Sequence, residues 1–257
     1  MRAYLPAILC ATFAISLLAW QPASAASANG RNTPIFDGET LNGWTTTNGK
    51  PVTQGWEVVD GVIHLAPGKQ RGGNIVTAKE YVNFDFRFEW KISPRGNSGI
   101  KYRVREYGKR TLGCEFQIID DAGSPDGKKP KSSTGSLYDI YPPSANKYLN
   151  PVGEYNTSRI VIRGNWVQHW LNGQLIVSVS IGSCDWYQKK AQSKFKDIQG
   201  FSESRAGKIM LTDHNSEVWY RNLVIYELPE VQYRTRLVKH SSRHRLFGHG
   251  RLRRRCR

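Results

Sequence analysis

In "GCEFQIIDDAGSPDG", Gly113 to Gly127, the apolar Cys114, Phe116 and Ile118 alternate with Glu115 and Gln117, and Asp120, Asp121 and Asp126 follow. Alternation with a period of two is the pattern of a half-buried β-strand. A carboxylate and an amide therefore stand side by side on its polar face. A second stretch, "SGIKYRVREY", sets Ile100, Tyr102 and Val104 against Lys101, Arg103 and Arg105 in the same way. Paired, the two strands would gather Lys101, Arg103, Glu115 and Gln117 on one sheet face. Planar, hydrogen-bonding side chains of this kind bind sugars when aromatic rings accompany them, and Tyr138, Tyr141, Trp170 and Trp186 are available. A solvated face with cross-strand ion pairs explains the same pattern, and on patterning alone this plainer reading leads.

Two further groups are chemically capable. "TDHNSEVW" puts Asp213 and His214 at the end of an apolar strand, with Met210, Thr212 and His214 sharing a face opposite Ile209 and Leu211. A histidine there serves as a general acid or base, as a metal ligand, or simply as a surface residue, and taken alone the surface reading leads. His169 in "HWLNG" reads as a half-buried, hydrogen-bonded side chain rather than a ligand. The clustered acids of "DDAGSPDG" suit a hard divalent cation such as Ca²⁺, Mg²⁺ or Mn²⁺, with Asp120 and Asp121 as the candidate ligands. Their spacing is not that of an EF-hand, and Asp-Gly is also ordinary turn chemistry. There is no G-x-S-x-G, Walker A, G-x-G-x-x-G or H-E-x-x-H motif.

The elements that must position these residues are strands. "GWEVVDGVIHLA" predicts a hairpin about Asp60-Gly61, and "SRIVIRGNWVQHWLNGQLIVSVS" another about Asn172-Gly173. "NFDFRFEWKIS" alternates strictly, with Phe84, Phe86, Phe88 and Trp90 on the core face and Asp85, Arg87, Glu89 and Lys91 opposite. Only "CDWYQKKAQSKFKD" has helical spacing. Many short strands with turns about every ten residues predict an all-β fold, a two-sheet antiparallel sandwich of about 195 residues.

The two ends read differently. "MRAYLPAILCATFAISLLAWQPASA" has an early Arg2, an apolar run and an A-x-A ending, which predicts a secretory signal over 1–25 and an exported protein, periplasmic or extracellular. Residues 26–34 are expected to be a linker, 35–228 the folded domain and 229–257 a basic, disordered tail. The tail carries ten Lys or Arg and one acid, +9 of the chain's net +16. In an exported chain it reads as a solvated tail, or as an arm for anionic envelope polymer, rather than as a nucleic-acid arm. The domain itself shows no nucleic-acid signature. After signal removal Cys114, Cys184 and Cys256 remain, an odd number without metal spacing, and a Cys114–Cys184 disulfide is not expected.

Taken in order, "FDGETLNGW", "WEVVDGVI", "FRFEWKIS…GNSGIKYRV", "EFQIIDD", "TGSLYD", "GEYNTSRIVIRGNWVQHWLNG", "SKFKD" and "IMLTDH…VWYRNLVIYEL" resemble the DUF1080 or 3-keto-disaccharide hydrolase domain family. No one segment is specific; eight in sequence are. The resemblance runs from about Ile35 to Leu228 and implies a concanavalin A-like (jelly-roll) sandwich. Thr212 departs from it, standing where such sequences commonly have Gln. The implied substrates are glycosides already oxidised to a ketone at C3. That ketone acidifies C2–H and places the C1–O bond β to a carbonyl, so elimination followed by hydration cleaves the glycoside without the carboxylate pair of ordinary glycosidases. Such a reaction needs a base and an enolate stabiliser. The resemblance thus implies Glu115 or His214 as base and either a divalent metal or Lys101 with Arg103 at the ketone. It also implies Asn97, Gln117, Tyr138 and Trp170 as substrate contacts. A non-catalytic lectin-like module is the competing reading, because fold does not fix function. An endo-glucanase ranks last: Glu115 and Asp120 are five apart, on opposite faces of a regular strand.

Overall fold

The computed structural model describes residues 32–68 and 71–230. The expected signal sequence and nearly all of the expected tail lie outside these residues. In chain order the strands are β1 (Asn32–Pro34), β2 (Trp44–Thr46), β3 (Trp56–Val59), β4 (Val62–Leu65), β5 (Ile75–Thr77), β6 (Phe84–Ile92) and β7 (Asn97–Tyr107). They continue with β8 (Arg110–Ile119), β9 (Asn156–Arg163), β10 (Trp166–Leu171), β11 (Gln174–Ser180), β12 (Lys208–Leu211) and β13 (Val218–Glu227). One helix, α1 (Cys184–Ala191), interrupts them within the segment of helical spacing. β1 uses the last three residues of the expected linker and pairs with β13.

The strands form two antiparallel sheets. An eight-stranded sheet runs β11-β10-β9-β6-β13-β4-β3, with β1 also on β13, and a five-stranded sheet runs β2-β5-β12-β7-β8. Both expected hairpins form, and Asp60, Gly61, Asn172 and Gly173 all have positive φ, between 46° and 80°. Two successive left-handed residues match the twist of a tight hairpin, which is why Asp-Gly and Asn-Gly stand there. The facing sides of the sheets hold the core. Phe84, Phe86, Phe88 and Trp90 of β6 lie over Ile100, Tyr102, Phe116 and Ile118 of β7 and β8, none more than 2% exposed. Burying each such side chain stabilises the fold by about 1.5–3 kcal/mol.

Polar links cross this core. His169 of β10 is completely buried, more so than expected; its Nε2 lies 2.9 Å from the Tyr102 hydroxyl on the other sheet and its Nδ1 2.9 Å from the Gly135 carbonyl. Burial pulls its pKa down to about 4, so near neutrality Nδ1–H donates to Gly135 and Nε2 accepts from Tyr102. Cys114 is a free, buried thiol and does not pair with Cys184. Burial pushes its pKa up to about 11.

The alternation of β7 breaks at a point that "KYRVREY" does not mark. The β7–β8 register slips between Tyr102 and Arg105, and Arg103 has φ 52°. A bulge of this kind re-aims the following side chains. Val104 accordingly leaves the main core and joins Val76 and Met210 in a separate apolar cluster, while Arg103 becomes 1% exposed.

Candidate active site

Adjacent strands β7 and β8 build the floor of a polar cluster on the outer face of the five-stranded sheet. Lys101 pairs with Glu115 and Gly99 with Gln117 across the ladder. The Lys101 Nζ stands 3.7 Å from Glu115 Oε2, and Gln117 Nε2 donates to Asn97 Oδ1 at 3.1 Å. Glu115 and Gln117 are 4% and 2% exposed. Gly99 makes this possible, because a Cβ there would collide with the Glu115 carboxylate lying over it.

Loops supply the walls. His214 brings its Nε2 to 3.8 Å from Glu115 Oε1, too long for a hydrogen bond, and its side chain is 41% exposed. Its backbone is pinned by Asp213, which accepts from Arg71 Nε at 2.9 Å and from the Asn215 amide at 3.0 Å. Thr212, just before, hydrogen-bonds the Gly99 carbonyl through its hydroxyl at 3.1 Å, so the residue that departs from the family pattern ties the His214 loop to the floor. On the other side the Tyr138 amide donates to the Glu115 carbonyl at 3.0 Å. The exposed Lys194 holds its amine 3.9 Å from the centre of the Tyr138 ring. Its own amide donates to Asp139 Oδ2 at 2.7 Å, between the buried Ser193 and Phe195.

The electrostatics centre on Glu115. Burial works to raise its pKa, but the charge of Lys101, the facing His214 and the nearby Lys194 outweigh burial and hold it below the usual carboxylate range. Glu115 is therefore ionised at neutral pH. Its Oε1 is nevertheless buried without a hydrogen-bond partner. Among the described residues Thr45, Arg103, Ser136, Trp186 and Ser202 also hold such an atom, but only at Glu115 is it a carboxylate oxygen, and it faces an exposed histidine.

Five of the residues singled out from sequence thus lie on or beside this floor: Asn97, Lys101, Glu115, Gln117 and His214, with Tyr138 at its wall. Others do not. Arg103 is turned inward by the bulge and donates to the carbonyls of Ser202, at 3.0 Å, and Gly164. It is a structural clamp, not a group that meets a ligand. Trp170 lies on β10 in the other sheet, where Arg159 sits 5.4 Å from its ring, so it cannot be a platform for this cluster. Tyr141 and Trp186 are buried. Asp120 and Asp121 are loop anchors. Asp120 accepts from the amides of Arg95, Ala122 and Gly123 at 2.8–3.1 Å, and Asp121 from Thr134 N and Lys147 Nζ.

With those oxygens engaged, the two aspartates do not fit a divalent cation, and no group of three or more His, Cys, Asp or Glu is arranged to hold one among the described residues. The cluster itself offers Glu115 and His214 beside two ammonium groups, a poor donor set for a dication. Lys194 and Gly99 escaped the reading of residue types. Lys194 lies in the segment of helical spacing but beyond the end of α1, so its period pointed to no site, whereas a glycine interrupting a strand does mark close approach of something else. A groove of about 450 Å³ lies elsewhere, on the outer face of the eight-stranded sheet near Trp170, Arg159 and Glu89. The charged groups there are paired, whereas Glu115 Oε1 accepts no hydrogen bond.

Known proteins show the same chain plan. A curated 3-keto-disaccharide hydrolase from Bacteroides thetaiotaomicron is 30% identical over 220 residues, covering 74% of this chain and 76% of that protein. A solved structure of a candidate glycosyl hydrolase from Parabacteroides distasonis is 36% identical with TM-score 0.69, covering 77% of this chain and 94% of its own. A second from the same organism, at 24% identity and TM-score 0.65, shares the fold. The family model for 3-keto-alpha-glucoside-1,2-lyase-like domains matches residues 31–226, nearly all of the sandwich, and the chain belongs to that family.

Proposed function

We propose that the protein is a glycoside-cleaving enzyme for sugars oxidised at C3, working by proton abstraction at C2, β-elimination of the C1 substituent and hydration. The observation that carries this reading is the ionised, unpartnered Glu115 carboxylate held between Lys101 and an exposed histidine. Its support from relatives is the family and the 30%-identical 3-keto-disaccharide hydrolase. Because Glu115 is buried and His214 exposed, His214 is the group that reaches a bound sugar, and it acts as the base. Its Nε2 faces Glu115, which leaves Nδ1 for the C2 proton. Glu115 then orients the ring and stabilises the imidazolium that forms. Positive charge from the lysines favours the enolate. The aglycone oxygen takes a proton as it departs, and water adds OH to C1 and H to C2, so the net reaction is hydrolysis. Asn97 and Tyr138 contact the sugar hydroxyls, and the buried Gln117 holds the Asn97 amide in place. The leader-like N-terminus supports an exported enzyme, with the basic tail available to anionic envelope polymer.

Incubation with a 3-keto-glucoside and with its unoxidised parent tests the reading. Aglycone released from the keto compound alone is the expected result. Binding of both without release would make the protein a lectin-like module instead, and release from the unoxidised parent would point to an ordinary glycosidase.

A further inference from the structure

We infer that Lys194 is the catalytic residue that meets the C3 oxygen of the substrate, donating a hydrogen bond to the ketone and holding the negative charge that develops on it. This rests on the reading above and assigns a role to a side chain that neither strand of the floor supplies.

Two lysines and a histidine surround Glu115, and they are not equivalent. Lys101 is 13% exposed in its side chain and its amine is drawn to the carboxylate at 3.7 Å. His214 faces the other carboxylate oxygen. Lys194 is exposed, has no hydrogen bond or ion pair from its amine, and lies against a ring face at 3.9 Å. An ammonium offers three donors and no acceptor. A carbonyl oxygen, which only accepts, is the group it lacks. The backbone beneath it is fixed, since the Lys194 amide is bonded to Asp139, Asp139 N to the Lys131 carbonyl, and the neighbouring Phe195 is stacked on Phe201 at 4.1 Å, while the amine rests on the Tyr138 ring. A donor held ready before charge develops costs no reorganisation when it does.

His214 and Lys194 both flank Glu115, the one by contact and the other through its field. Elimination from a 3-keto sugar requires that arrangement, because the proton leaves C2 while the electron pair moves onto the oxygen of the adjacent C3. No covalent bond to the lysine is needed. The amine keeps its proton, the enolate oxygen stays hydrogen-bonded, and the charge returns to carbon as the C1–O bond breaks. The charged groups facing the amine are Glu115 and Asp139, which favour its protonated form, and Lys101 and Arg110, which oppose it. With partial loss of water around it, the balance moves its pKa below that of free lysine.

The test uses the whole chain and a chromogenic 3-keto-glucoside. Lys194→Met should lower kcat about 10²–10³-fold, the loss seen when a preorganised oxyanion donor is removed, with KM little changed and the thermal transition intact. Lys194→Arg should restore part of that loss. In the wild type kcat/KM should fall on the alkaline side at a pH below that of ordinary lysine deprotonation. Arginine at 194 should push that limb upward, which a merely structural lysine would not do. Exchange of C2–H with deuterated solvent should slow in parallel with kcat in Lys194→Met. Near wild-type turnover in Lys194→Met would overturn the assignment, as would a borohydride-trapped adduct on Lys194, which would make the lysine an imine-forming nucleophile. Wild-type protein that releases no aglycone would instead overturn the enzymatic reading itself, so the two failures are separable.

Discussion

The outer faces of the two sheets carry the same residue types and use them differently. On the eight-stranded sheet every prominent carboxylate is closed by a partner. Asp85 takes two bonds from Arg159, at 2.6 and 2.8 Å, and one from Arg87. Glu89 takes one each from Arg221 and Asn222 at 2.8 Å. His64 lies between Glu57 and Glu217 at 2.8 and 2.9 Å. On the five-stranded sheet Glu115 faces Lys101 at 3.7 Å and His214 at 3.8 Å, and its Oε1 accepts no hydrogen bond. An ion pair with good geometry has spent its hydrogen-bonding capacity; a carboxylate held ionised without one still has it to give. Residue type alone does not separate a structural face from a reactive one. Pairing does.

The largest effect expected from breaking this contrast is on turnover. His214→Ala and Glu115→Gln should each lower kcat/KM for a 3-keto-glucoside by about 10²–10⁴-fold, the usual cost of losing a positioned base or its partner. The histidine variant should be the more damaged if it is the group that touches C2–H. Both should keep the far-ultraviolet circular dichroism of the wild type. A Glu115→Gln enzyme with full activity would return Glu115 to the plainer role of a surface ion pair. The double variant should be little worse than the worse single, since residues that act as a unit are not additive.

Gly99→Ala probes the same site without touching a charge. The added methyl must displace the flexible end of Glu115 rather than any backbone. Stability should therefore change little, while a misplacement of order 1 Å costs roughly 10²-fold in rate. Retained activity with a large loss of melting temperature would mean that the carboxylate does not need its present position.

How far the site could be seen in the sequence follows from these particulars. Strict alternation over β6 and β8 was enough to place Phe84 to Trp90 inside and Glu115 beside Gln117 outside, because a half-buried sheet enforces a period of two. The same rule failed at Arg103 and Val104, since a bulge adds a residue to one strand and nothing in "KYRVREY" announces it. Trp170 was assigned to the right kind of surface on the wrong sheet: periodicity gives a side chain's face and cannot say which strands are neighbours. Lys194 falls within the segment of helical spacing, but the helix stops at Ala191 and leaves it in a loop, where the period no longer gives a side chain's direction. Asp120 and Asp121 satisfied a metal pattern and a turn pattern equally, and in the structure they are bonded to loop amides and to Lys147.

His169 offers a smaller effect, read through pH. Its pKa is lowered to about 4 in the fold against an ordinary 6.5, so between these values the unfolded chain binds a proton that the native state does not. Stability from this group is complete above about pH 6.5 and is lost as pH falls through that window, up to on the order of 3 kcal/mol. Melting temperatures of the wild type should fall across it. A His169→Gln variant, less stable throughout because Tyr102 and Gly135 lose their shared partner, should show a flatter slope. An unchanged slope would mean that His169 is not the group responsible.

The smallest expected effect completes the contrast, because it makes the same chemical change on the other sheet. Glu89→Gln removes one negative charge from a carboxylate bonded to Arg221 and Asn222, on a face remote from Glu115. Arg221 is 41% exposed and its charge remains solvated when the carboxylate is lost. An exposed pair of this kind is worth about 0–1 kcal/mol, and the amide can still accept from Asn222. Turnover should be that of the wild type and the melting temperature should shift by no more than a few degrees. Since Glu115→Gln and Glu89→Gln exchange the same atoms, any difference in their turnover comes from the surroundings of the carboxylate. Equal losses in both variants would show that pairing is not what distinguishes the two faces, and the assignment of the site to Glu115 would fall with it.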